Sequence, residues 1–108
     1  MSNTGGIAAF DVERVVTGPF SGMYVTIGAP LGFNPVIIIF DNQSTVTVDL
    51  SIDGTNSFKT FVSGEAMLLD LRSNIGLAQN YTIPIGTQFY INATGGTGSF
   101  NISMMYAR

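Results

Sequence analysis

From Thr45 to Ile52 the chain alternates without a break: Val46, Val48, Leu50 and Ile52 are aliphatic, and Thr45, Thr47, Asp49 and Ser51 between them are polar. A period of two is the repeat of extended backbone, so these residues predict a strand with one buried face. Asp53-Gly54-Thr55-Asn56 follows with turn chemistry, Gly54 being able to take a positive φ, and residues 57–62 resume with β-branched and aromatic side chains. The pattern predicts a β-hairpin.

A second hairpin is expected further on, where residues 88–93 and 99–107 flank the glycine-rich Thr94-Gly95-Gly96-Thr97-Gly98. In the returning strand Phe100, Ile102, Met104 and Tyr106 share one side, and Met105 alone interrupts the polar side. Val36-Ile37-Ile38-Ile39-Phe40 differs in being apolar throughout, as expected of a central strand covered on both faces or of one whose second face meets another subunit. Residues 10–17 and 23–27 are further strands separated by residues 18–22. Residues 28–35, with two prolines and two glycines, form a loop. Residues 66–71 are too short to stand as a helix and are assigned to a strand.

Six to eight short strands with frequent turns and no amphipathic helix predict an all-β fold, a single antiparallel β-sandwich of jelly-roll or immunoglobulin-like type. The 108 residues have room for one core. Residues 10–108 are expected to form the sandwich domain and residues 1–9 a flexible N-terminal arm or tail.

Charged residues are only 10% of the chain, against a usual ~25%, while 45% are apolar. Such a chain folds but presents a weakly charged surface. The absence of His and Cys removes the commonest general base, the thiolate nucleophile and the usual zinc ligands. No catalytic residue, metal ligand or cofactor site is therefore expected. A pI near 4.3 and four scattered cations leave no basic stripe for nucleic acid, and the longest apolar run, five residues, is far short of the ~20 of a membrane-crossing helix. The first residues lack the basic and apolar regions of a secretory signal.

The remaining motifs favour structural readings. Asp53 opens a turn, where aspartate bonds its own backbone, so the pair Asp49 and Asp53 does not indicate glycosidase chemistry. Asp11 and Glu13 beside Arg14 suit a solvated face or an assembly ion pair. Gly95-Gly96-Thr97-Gly98 lacks the Lys-Ser/Thr and the helix of a phosphate loop. Sequons at Asn42, Asn80, Asn92 and Asn101 are of the number such Asn-, Ser- and Thr-rich composition produces by chance.

One resemblance adds to this. Ser51-Ile52-Asp53-Gly54-Thr55, Phe61-Val62-Ser63-Gly64-Glu65, Leu69-Asp70-Leu71-Arg72-Ser73-Asn74, Ile83-Pro84-Ile85-Gly86-Thr87-Gln88 and Ala93-Thr94-Gly95-Gly96-Thr97-Gly98-Ser99 follow in an order that resembles small all-β virion structural proteins of tailed bacteriophages, over about the last 60 residues. The resemblance implies a non-enzymatic protein of the virion, made in the host cytoplasm and built into the particle as a capsid decoration or cement protein or as a head–tail or collar component. Its implied partners are further copies of itself and other virion proteins, such as the major capsid protein or neck and tail proteins. Neither nucleic acid nor a membrane is among them. Subunits held at high local concentration tolerate a weakly charged surface, which agrees with this composition. A carbohydrate- or receptor-binding β-sandwich module of a phage tail or fibre is the alternative. The expected assembly contacts are Ile7 and Phe10 in the N-terminal segment and Val36, Ile37, Ile38, Ile39 and Phe40 in the two-faced strand.

Overall fold

In the computed structural model, residues 8–71 and 83–107 are described, and they hold eleven strands and no helix. The strands are β1 (Ala8–Phe10), β2 (Arg14–Thr17), β3 (Phe20–Ser21), β4 (Val25–Thr26), β5 (Pro35–Asn42), β6 (Val48–Ser51), β7 (Lys59–Phe61), β8 (Ala66–Asp70), β9 (Tyr90–Asn92), β10 (Thr94–Gly95) and β11 (Ser99–Ala107).

All pairings are antiparallel, and one set of them nests. β6 pairs with β7, β5 with β8, β4 with β9 and β2 with β11, as in one long double ribbon folded over on itself. Folding places β1 and β2, β11, β5 and β8 side by side in one sheet, and β4, β9, β6 and β7 in the other. This is the jelly-roll arrangement, one of the two sandwich types the sequence left open. The short pair β3–β10 joins the layers at one end.

The core lies between the two sheets. Ile38, Phe40, Phe100 and Ile102 face it from the first sheet, and Val48, Leu50, Phe61 and Ile91 from the second, all fully buried. Phe61 stands edge-on to Phe100 with ring centroids 5.3 Å apart, and Phe40 to Phe89 at 5.9 Å. These geometries suit the ring quadrupoles. Asn42, at the end of β5, is a fully buried polar side chain beside them. Its Nδ2 donates to the carbonyls of Val46 (2.9 Å), Phe61 (3.1 Å) and Val62 (3.1 Å), while its Oδ1 accepts from Ser44 N and Oγ. A buried amide satisfied this fully ties the first sheet to the backbone around β6 and β7.

Several expectations need correction. Residues 45–62 form the predicted hairpin, but residues 88–93 and 99–107 do not pair with each other. β9 joins the second sheet, and β11 becomes the centre of the first. The glycine-rich connection carries the chain from one layer to the other. Along it Gly98 (φ +86) lies so close to Gln43 that a Cβ would run into the Gln43 carbonyl oxygen. Residues 18–22 are not only a separator, since Phe20–Ser21 pairs with Thr94–Gly95. Ala8 and Ala9, expected within the N-terminal arm or tail of residues 1–9, pair with Ala107 and Tyr106. Residues 1–7 lie outside the described residues. Residues 66–71 do contain a strand, β8, and it is an edge of the first sheet.

Candidate assembly surface

The first sheet has two faces, and only one of them meets the second sheet. Strand alternation and the ladder register fix which residues lie on the outer side. One row across the strands runs Phe10, Met105, Ile37, Asp70; the next runs Ser103, Ile39, Leu68; a third runs Val15, Asn101, Asp41, Ala66. Phe10 is 79% exposed, Leu68 59%, Val15 49% and Ile39 40%, whereas their alternating neighbours Ile38, Phe40, Phe100 and Ile102 are buried. Phe10, Ile37, Ile39, Leu68, Met104 and Met105, with Ser103, line a shallow groove on this side whose walls are almost wholly apolar.

The expected contact residues therefore divide. Phe10, Ile37 and Ile39 come together on the outer face. Ile38 and Phe40 do not belong to a contact surface, because the strand's period of two turns them into the core. Val36 is half-buried and has no partner on β11: the register steps from Ile37 opposite Met105 to Pro35 opposite Tyr106, leaving Val36 as the extra residue of a bulge. Its carbonyl instead accepts from Leu71 N at 2.9 Å. Ile7 lies outside the described residues. Leu68, Val15 and Met105 complete the surface and were not singled out by the sequence. For Met105 the signal was present, as the one apolar residue on the polar side of its strand.

Charge is sparse around this face. The two cations among the described residues are both engaged. Arg14 bonds Asp11 at 3.2 Å and donates to the Ala29 carbonyl, and Lys59 bonds Glu65 at 3.1 Å. The hollow beside Arg14, lined by Asp11, Glu13, Gly28 and Ala29, therefore offers a guanidinium already committed to its neighbours. Lys59, with the Val62 backbone N–H, holds the Glu65 carboxyl below the usual range.

The other candidates are structural in place. Asp53 Oδ1 accepts from the backbone N–H groups of Thr55 and Asn56, both at 2.8 Å, and Asn56 and Ser51 side chains bond the same carboxylate. The Asn56 and Thr55 backbone bonds lead in pulling its pKa well below the normal aspartate value. Asp49 accepts from Thr60 Oγ1 across the β6–β7 ladder at 2.7 Å. Of the sequons, Asn42 is sealed in the core, Asn101 is buried on the outer side of β11 with its Oδ1 lacking a donor, Asn92 is half-buried in β9, and Asn80 lies outside the described residues. Among the described residues no three His, Cys, Asp or Glu side chains gather as they would to hold a metal ion.

No protein-family model matches the chain, and no curated protein matches it. Among solved structures it is similar to a chain described under the heading "Bacillus endospore appendages form a novel family of disulfide-linked pili". The TM-score is 0.51 at 14% identity, and the match covers 99% of this chain and 94% of that one. At this identity the likeness is one of fold. The 108 residues contain no cysteine, so a disulfide linkage of the kind named there has no counterpart within them.

Proposed function

We propose that the chain is a non-enzymatic structural subunit that associates with further copies of itself into a larger assembly, using the outer face of the β1/β2–β11–β5–β8 sheet as a contact surface. The observation that carries this reading is the exposure of Phe10, Val15, Ile39 and Leu68 together on one regular sheet face, in a sandwich whose core is already complete without them. Exposed apolar patches of this kind are uncommon on proteins that act alone, and burying each such side chain is worth ~1.5–3 kcal/mol.

Two likenesses support a repeating assembly as the setting. The pilus protein shares the fold across nearly the whole chain, and the last 60 or so residues resemble small structural proteins of tailed-phage particles. We take the phage particle, with the chain as a decoration, collar or tail-associated component, as the specific form of this proposal. Light scattering coupled to size exclusion, with negative-stain microscopy of concentrated samples, tests self-association. Oligomers, rings or fibres are the expected result, and a monomer at about 1 mM would overturn the reading, since contacts weaker than that leave little binding free energy. Mass spectrometry of purified phage particles tests the setting separately.

A further inference from the structure

Resting on that reading, we infer that the outer face of the first sheet packs against the same face of a second copy, face to face about a two-fold axis near Ile39, so that two sandwiches share a four-layered stack. The geometry supplies the area such a contact requires. Four strands abreast at ~4.8 Å, the longest of nine residues at ~3.3 Å each, present about 500 Å² per copy, or about 1,000 Å² in total, the level at which specific interfaces begin. A pleated sheet is best covered by another of matching pleat and twist, as the second sheet already covers the inner side. A further copy brings one of identical dimensions.

The rows of side chains fit this arrangement. Ile39 lies in the middle row, between Ser103 and Leu68, and residues beside a two-fold axis meet their own counterparts. An axis running across the strands sets the Phe10–Met105–Ile37 row of one copy over the Val15–Asn101–Asp41 row of the other. Asp41, which accepts from Gln43 Nε2 at 2.6 Å, then opposes apolar atoms of the other copy and not its own image. Each copy carries a net charge of -3, so the contact is apolar in origin and opposed by mean charge. A foreign partner recognising the carboxylates Glu13 and Asp41 through basic residues would show the reverse balance.

The test uses the full chain. Leu68→Lys and, separately, Phe10→Ser should weaken self-association at least about tenfold, because they are the two most exposed apolar side chains of the face, while Phe58→Ser, at a half-exposed residue beside the hairpin of the other sheet, leaves it unchanged. Thermal melts of each variant report folding separately. Because the chain has no cysteine, Ile39→Cys is a clean reporter that should give a disulfide-linked dimer under mild oxidation, and Phe58→Cys should not. Raising salt from about 50 to about 500 mM should strengthen association or leave it unchanged. If the wild type associates but Leu68→Lys associates equally well, if Phe58→Cys cross-links in place of Ile39→Cys, or if salt weakens the contact more than about tenfold, the face-to-face arrangement is wrong while self-assembly stands. A wild type that stays monomeric removes both.

Discussion

Asn42 is a polar side chain held at the end of β5 against a mainly Phe, Ile, Leu and Val core. Its amide meets three carbonyls from the segments around β6 and β7, and its own oxygen holds Ser44. Asn42→Ala removes a donor from each of those carbonyls, although Val46 keeps Ser44 Oγ and Val62 keeps Glu65 N, and it takes the acceptor from buried Ser44. It should cost about 2 kcal/mol or more, read as a fall in Tm of about 8 °C or more by calorimetry at ~4 °C or more per kcal/mol. Asn42→Asp turns an oxygen toward the carbonyls. Its carboxyl would be pushed up in the folded state, so the variant's deficit against wild type should grow as pH rises above about 4 and shrink below it. Asp53 has the opposite sign. Its folded pKa is depressed by backbone donors, so its contribution is present above the unfolded value near 3.9 and is lost as pH falls below it. With Glu65 shifted the same way and no histidine in the chain, stability should be flat from neutral pH down to about 5 and fall only below about 4. Asp53→Asn should keep the turn, since Asn offers the same acceptor to Thr55 and Asn56, and flatten the acid limb of a pH series of denaturant melts.

At the scale of elements, local pattern and tertiary pairing carry different information. The β6–β7 hairpin was legible because alternation, turn residues and pairing all agree within fifteen or so residues. The pairing of residues 88–107 was not, because a glycine-rich connection looks alike whether the next strand returns beside the last or crosses to the other layer. What decides is burial. Phe89 and Ile91 fill the core from one side, and Phe100 and Ile102 fill it from the other. The crossing leaves a mark only in the backbone, at Gly96 and Gly98, where a Cβ would run into Val46 and Gln43 respectively. Gly98→Ala should therefore cost more than the ~1 kcal/mol of an ordinary glycine replacement, since it strains φ and forces residues 43–44 aside, while Gly86→Ala, also at positive φ but open to space, should cost less. Paired urea melts check this. The apolar outer face was half legible for a related reason. Five apolar residues in a row announced a strand with two apolar faces, but Ile37 and Ile39 can be told from Ile38 and Phe40 only once β11 and β8 are placed on either side.

The nesting of the whole molecule sets the order in which it can form. Among the paired strands β6 and β7 are joined by the shortest connection, β5 and β8 enclose them, and the outermost pairs, β1 and β2 with β11, join residues near opposite ends of the chain. Loop-closure entropy makes the inner pairs cheap and the outer pairs costly until the inner ones exist. Folding should therefore be slow for a chain of this length, in the millisecond-to-second range of sandwich proteins. The nucleus should contain the hairpin and the aromatic contacts it brings together. Phe61 is the informative residue, since it lies on β7 and touches both Phe40 and Phe100. Conservative replacements in the hairpin, such as Val48→Ala, should slow folding with φ of about 0.5 or more, whereas Val16→Ala on β2, half-buried against the same core, should leave the folding rate nearly unchanged and speed unfolding. Stopped-flow chevrons of the two variants decide the matter. If Val16→Ala slows folding as much as Val48→Ala does, the two ends of the ribbon meet before its centre is formed, and the nested topology is then a product of folding and not its route. The same measurements bear on assembly. A sheet whose β2–β11 pair forms last exposes its apolar outer face only as a finished surface, so copies should associate after folding, and association kinetics should be second order in folded chain with no concentration dependence in the folding phase.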